Sequence, residues 1–138
     1  MRKLVIGILP VVALFLLTIP AGAAPVGTDN QQVKSIAEPI LDGLMTGFNA
    51  GNYAQFSKNF DNTMRQTINE QKFKQVRGDL LKKWGKYKSN KYLGFLNHEA
   101  FTVVLWKGAF ADTKKDILIK LVLSKSKNKV SVSGLWFE

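Results

Sequence analysis

The sequence predicts an α+β domain in which helices come first and an antiparallel sheet follows. Two observations carry that prediction. Apolar residues recur at helical spacing from Val33 to Trp84, and beyond Gly85 the apolar period drops to two. A third observation sets the compartment. Met1-Arg2-Lys3, an apolar run over 4–19 and Pro20-Ala21-Gly22-Ala23-Ala24 read as the positive, apolar and small-residue parts of an export signal. The expected organisation is a signal peptide over 1–23, a flexible lead over 24–30 and a single α+β domain over 31–138.

Ala21 and Ala23 fit the small-x-small pattern, so cleavage is expected after Ala23, giving a secreted or periplasmic protein. The alternative is an N-terminal membrane anchor. Spanning the hydrocarbon core takes roughly 20 apolar residues, which this run reaches only by absorbing Pro20. With no cysteine in 138 residues there is no thiol to carry a lipid, no disulfide, no thiolate metal site and no thiol nucleophile. About 115 residues remain after cleavage, enough to bury a core without staples. The formal charge of +10 falls to +8 when Arg2 and Lys3 leave. Such a charge favours anionic partners, and at an exported address these are envelope components; nucleic acid is disfavoured.

The first helix follows Asp29 or Asn30, either a suitable cap. Val33, Ile36, Ala37, Ile40, Leu41, Leu44, Met45 and Phe48 then keep the i, i+3, i+4, i+7 register over four turns. Pro39 removes one backbone donor and predicts a kink or a late start; Gly51 predicts the end. Asn52 caps a short second helix bearing Tyr53, Phe56 and Phe60, and Asp61-Asn62 breaks it. Met64 and Ile68 fall in a connecting segment or a further turn. Asn69 caps a third helix with Phe73, Val76, Leu80, Leu81 and Trp84 on one face, and Gly85 stops it.

Strands are expected over 86–96, 100–110, 116–124 and 129–137, the last two joined by a tight turn at Lys127-Asn128. Three helices packed on one face of a sheet of about four strands make a two-layer domain. Strict alternation places Ile117, Ile119, Leu121, Leu123, Val130, Val132 and Trp136 toward the helices. Leu118, Val122, Leu135 and Phe137 are then expected on the second face, and the alternation leaves the side taken by Trp106 open. That apolar outer face predicts either a sheet curling over itself or a surface for a homodimer or another partner.

Three stretches, "FNAGNYAQFSKNF" over 48–60, "LKKWGKYKS" over 81–89 and "VSGLWFE" over 132–138, give the chain a familiar outline. It resembles the nuclear transport factor 2-like (cystatin-like) superfamily, in particular its small exported prokaryotic members of unknown function. The resemblance implies a curved sheet wrapped around a long helix, a cone with a pocket at its open end. Catalytic members place carboxylates, a histidine or a tyrosine inside that cone. Here the inward strand positions read as Ile, Leu, Val, Phe and Trp, which argues against an enzyme.

Individual residues support the same reading. His98, the single histidine, lies between two expected strands with Glu99 beside it, and in a strand neighbours point to opposite faces. No metal ligand set and no cofactor are implied. Asp42, Tyr53, Phe56, Trp106 and Asp116 are the candidates for lining a cone pocket. Tyr53, Phe56, Trp84, Tyr87, Tyr92, Phe101 and Trp106 either fill the core or share an apolar cavity. Lys82, Lys83, Lys86, Lys88 and Lys91, interleaved with Trp84, Tyr87 and Tyr92, form the densest basic stretch. It is a candidate surface for anionic polymers or lipids, and the scarcity of Arg predicts diffuse, salt-sensitive binding. The expected function is therefore a non-catalytic binding or protein-interaction module. The alternatives are an apolar-ligand carrier or enzyme using the cone, and a binder of anionic envelope material.

Overall fold

The computed structural model describes residues 22–138 and, ahead of them, the backbone of Leu14–Phe15. The signal peptide expected over 1–23 therefore lies almost wholly outside the described residues. Four helices precede four long strands: α1 Asn30–Ala50, α2 Tyr53–Phe56, α3 Asn62–Thr67 and α4 Glu70–Trp84, then β2 Tyr87–Asn97, β3 Thr102–Phe110, β4 Ile117–Ser126 and β5 Lys129–Phe137. The two-residue strand Leu14–Phe15, β1, completes an antiparallel sheet of order β1-β5-β4-β3-β2. This is the predicted α+β architecture, an open curved sheet with helices on one side.

Each helix begins on a side chain that caps it. Asp29, Asn52, Asp61 and Asn69 accept from the backbone N–H of Gln32, Gln55, Met64 and Lys72, satisfying donors that a helix start leaves open. α1 runs through Pro39 without ending, with the ring on its exposed side. Its inner stripe of Val33, Ala37, Leu41, Leu44, Met45 and Phe48 is buried against the sheet. It ends where Gly51 takes φ +70°, a left-handed conformation suited to glycine.

The end of α1 is the joint of the domain. The Asn49 side chain donates to the Tyr87 carbonyl at 2.8 Å and accepts from the Tyr87 N–H at 2.9 Å, fastening α1 to the start of β2. The Arg77 guanidinium of α4 donates to the Phe48 carbonyl and, at 2.9 Å, to the Asn49 carbonyl. A cation at a helix C-terminus also suits the helix dipole. α2 crosses close to α1 at Gly47, where a Cβ would stand 2.5 Å from the Phe56 backbone nitrogen.

The strands depart from strict alternation at three bulges. Lys88 and Leu93 are extra residues in β2, and Ser133 is the extra residue in β5, because Val122 pairs with Gly134 while Leu123 pairs with Val132. Bulges bend and twist a strand. The one at Ser133 also reverses which residues face the helices. Leu135 and Phe137, expected on the outer face, turn inward and are buried in the core, while Trp136 turns outward. Trp106 likewise points inward and is wholly buried. Leu118 and Val122 lie on the outer face as expected, paired with Lys107 and Val103.

The interior is filled by rings. Phe110 contacts Phe48, Trp84, Tyr87 and Phe137 at centroid distances of 6.4, 5.5, 5.7 and 6.3 Å. Over Gly108 the space is taken by Ile119, whose Cδ1 would lie 2.7 Å from an added Cβ. The hairpin between β4 and β5 turns on Lys127 and Asn128, both with positive φ of 52° and 64°, the type I′ geometry that matches strand twist.

The segments leading into α1 and α3 lie along the sheet. Ala24 exchanges two 2.9 Å backbone bonds with Lys125, and the Val26 N–H donates to the Thr102 hydroxyl at 3.0 Å. On the far side, Val132 donates to Asn59 at 2.6 Å and accepts from Asp61 at 3.0 Å. That connection covers the first half of the β5 edge, and Leu14–Phe15 pairs beyond it at Leu135 and Gly134.

Two changes at one position separate the bulge from its side chain. Ser133→Ala removes a buried hydroxyl that has no hydrogen-bond partner, so urea unfolding should show a neutral or slightly stabilising effect. Deleting Ser133 restores alternation and drives Leu135 and Phe137 out of the core. At about 1.5–3 kcal/mol for each side chain, the same measurement should show a loss of at least about 3 kcal/mol.

Candidate functional site

Three places hold the chemistry-bearing side chains: the interior, a groove beside α1, and the outer sheet face. The inward sheet positions Val104, Trp106, Phe110, Ile117, Ile119, Leu121, Leu123, Val132, Leu135 and Phe137 are all buried and apolar apart from the Trp106 indole N–H, which has no acceptor. Phe56 is buried against Phe60 and Phe73. Tyr53 packs on Phe73, and its hydroxyl donates to the Ile68 carbonyl at 2.6 Å, tying α2 to the end of α3. These two residues and Trp106 stand in the packed interior. Asp116 is exposed, with its carboxylate 3.8 Å from the Lys107 ammonium. The five pocket candidates are therefore not gathered around one space.

Asp42 lines the groove. Gln31, Lys34, Ser35, Glu38, Pro39 and Asp42 project from successive turns of α1 along an open depression of about 450 Å³. Tyrosines of β2 border the same side of the helix. The Tyr92 hydroxyl donates to Asn30 Oδ1 at 2.9 Å, with Lys34 Nζ 5.8 Å from its ring, and Tyr87 accepts from the Asn90 amide.

Burial raises the Tyr87 pKa above 10.0; the Asn90 hydrogen bond opposes the rise, and the Asp42 and Glu38 carboxylates add to it. Burial and then Glu38 raise Tyr92 as well. Both phenols thus stay protonated at neutral pH. The groove offers hydrogen bonds from Gln31 and Ser35 and charges of both signs from Lys34, Glu38 and Asp42, and the tyrosines that border it do not supply a base.

The outer sheet face is built in cross-strand rows, because paired residues share a face. Leu96, Val103, Val122 and Gly134 form one row, and Gly94, Leu105, Lys120 and Trp136 form the next. Lys91, Lys107, Leu118 and Glu138 form the third. The Trp136 indole folds over Gly134 toward Val122: a Cβ on Gly134 would lie 3.1 Å from each. Lys120 Nζ sits 5.6 Å from the same indole and 2.6 Å from the Glu138 carboxylate. Leu96 is 58% exposed, and Leu93, the extra residue of its bulge, is 53% exposed.

The basic stretch is divided between two layers. Lys82 and Lys83 end α4 in the helix layer, Lys86 and Lys88 are exposed around the start of β2, and Lys91 belongs to the outer face opposite Lys107. His98 is exposed in the β2–β3 loop and stacks on Phe101 with centroids 4.6 Å apart. Among the described residues no group of His, Cys, Asp or Glu could hold a metal ion. No helix among them is long and apolar enough to cross a membrane.

Sequence reasoning passed over Leu96, Val103 and Leu105 as surface residues. Their signal was present in the alternation of Val103 and Leu105 with Val104 and Trp106, once Trp106 is known to point inward. Lys34 and Glu38 were also missed, because polar residues on a helix's solvent side carry no mark of what lies beside them.

Fold and surfaces together define a small α+β domain with a packed interior. The chain belongs to the family described as a protein of unknown function (DUF3887), whose model matches residues 43–131. The match runs from the middle of α1 to Ser131 in β5, so Lys34, Glu38, Asp42 and Trp136 lie outside it. No curated protein and no solved structure matches the chain significantly.

The groove tyrosines give a test of its geometry by ultraviolet or NMR titration. Tyr87 and Tyr92 should both titrate above 10.0. Glu38→Gln should bring both down, and Asp42→Asn should bring down Tyr87 alone. With folded pKa values above the unfolded ones, the folded state holds more protons in strong base. Stability contributed by these groups is therefore complete below pH 10 and falls as pH rises through the raised values.

Proposed function

We propose that this chain is an exported, non-catalytic interaction domain of the nuclear transport factor 2-like type, and that its contact surface is the outer face of the sheet. One observation carries the reading. Apolar side chains occur on both faces of the sheet, but only the inner set is covered by the helices. An antiparallel sheet with one wet face ordinarily alternates apolar and polar residues. Here Leu96, Val103, Leu105, Leu118 and Trp136 remain partly or largely exposed.

The order of a long helix, short helices and a curved sheet supports the family resemblance. The packed rings around Phe110 weigh against a ligand carried inside the cone. The export signal, with cleavage after Ala23, is part of the proposal and puts the partner in the cell envelope or outside it.

The test is site-specific photocrosslinking in cells that export the protein. A benzoylphenylalanine in place of Leu105 should form an adduct with whatever the face contacts. The same probe in place of Lys72, exposed on α4, should form none. Adducts from a probe at Asp42 with none at Leu105 would move the function to the groove and overturn this assignment.

A further inference from the structure

Taking the outer sheet face as the contact surface, we infer that its partner is an anionic lipid bilayer. The inference deepens the proposal above and rests on it. The first support is the pairing of apolar and cationic groups on one face. Lys91 and Lys107 end one row, Lys120 stands in the next, and the leucines, Val103 and Trp136 lie among them. Long lysine side chains keep their ammonium groups in water while their stems cover apolar surface. This lets leucines enter the acyl boundary while the charges meet headgroup phosphates.

The second support is Trp136. A half-buried indole with a lysine 5.6 Å from its ring suits the bilayer interface, where tryptophan is enriched for its apolar body and polar edge. The third is the chemistry the face lacks. Its cations are all lysine, with no guanidinium fork for bidentate recognition. Its carboxylates stand beside lysines, Glu138 at 2.6 Å from Lys120 and Asp116 at 3.8 Å from Lys107, so the face keeps a net positive charge through Lys91. A face of this kind reads charge and apolarity rather than a particular polar pattern.

A second copy of this chain is disfavoured because face-to-face contact would bring two sets of Lys91, Lys107 and Lys120 into one interface, in a protein whose charge of +10 falls only to +8 on the cleavage proposed above.

Tryptophan fluorescence tests the inference in the full chain. Of the three tryptophans, Trp84 and Trp106 are buried, so an acyl-chain quencher should report on Trp136. The apolar run over 4–19 contains no tryptophan, so attachment through it alone gives no such signal. Vesicles of phosphatidylcholine carrying brominated chains are compared with vesicles in which half the lipid is phosphatidylglycerol. Quenching is expected on the anionic vesicles, with loss in 1 M salt, where screening acts within about 3 Å.

Trp136→Phe should abolish the signal with the circular dichroism unchanged. Combining Lys91→Gln with Lys107→Gln should weaken partitioning about 25-fold, since each lysine near an anionic surface is worth about fivefold. Equal quenching on both vesicle types, or none on either, overturns the inference. In that event a protein adduct from the Leu105 probe, whether another protein or a second copy, leaves the contact surface standing with a different partner. No adduct and no quenching remove both.

Discussion

A single extra residue in β5 decides what the sheet presents to each side. Side chains alternate along a strand, so one inserted residue exchanges the faces of everything after it. At Ser133 the exchange sends Leu135 and Phe137 toward the helices and Trp136 toward solvent. Phe137 then reaches Phe110, the ring on which Phe48, Trp84 and Tyr87 also converge. The same exchange places the indole beside Lys120 and over Gly134. Closure of the core and the character of the outer face are thus two results of one backbone irregularity.

The end of α1 plays the complementary part for the helix layer. Its last carbonyls would be open acceptors, and Arg77 from α4 fills two of them, while the Asn49 amide completes the hydrogen bonding of Tyr87 at the start of β2. Buried or half-buried backbone groups need such partners. Polar satisfaction here also fixes geometry, because α1, α4 and β2 are held through one turn of helix. The same clasp holds Tyr87 next to the helix carrying Glu38 and Asp42, where burial and then those carboxylates raise its pKa.

Most of the fold was legible in the sequence, for reasons visible in particular residues. Asp29, Asn52 and Asn69 announced helix starts because a short polar side chain before an apolar stripe has few other uses, and Gly51 and Gly85 announced two ends. The hairpin at Lys127-Asn128 was legible from its spacing and from asparagine's tolerance of positive φ. The bulges were not. Ser133 looks like any strand residue, and alternation alone assigns Leu135, Trp136 and Phe137 to the wrong faces. Trp106 was ambiguous for a related reason, since Val103, Val104, Leu105 and Trp106 are all apolar and give alternation nothing to grip. The candidate surfaces suffered most from this, because a site on a sheet face is defined by register between strands, and register is a long-range property.

What remains is the distribution of a small amount of apolar surface in a strongly basic chain. A domain of this size without disulfides must pack its interior well to be stable, and here aromatic rings and branched aliphatics fill the space between α1 and the sheet. That leaves recognition to the exterior. Across the outer rows, apolar groups stand within reach of lysines that are either opposite another lysine, as Lys91 is to Lys107, or held beside an aromatic ring, as Lys120 is to Trp136. Lysines opposed to each other on a sheet cost stability. Carboxylates of the domain offset part of that cost, Asp116 beside Lys107 at 3.8 Å and Glu138 beside Lys120 at 2.6 Å, and a negatively charged surface outside the domain would offset the rest. The bulge that turns Trp136 outward contributes the other half of that surface, so the same residue that completes the core also gives the basic face its apolar anchor.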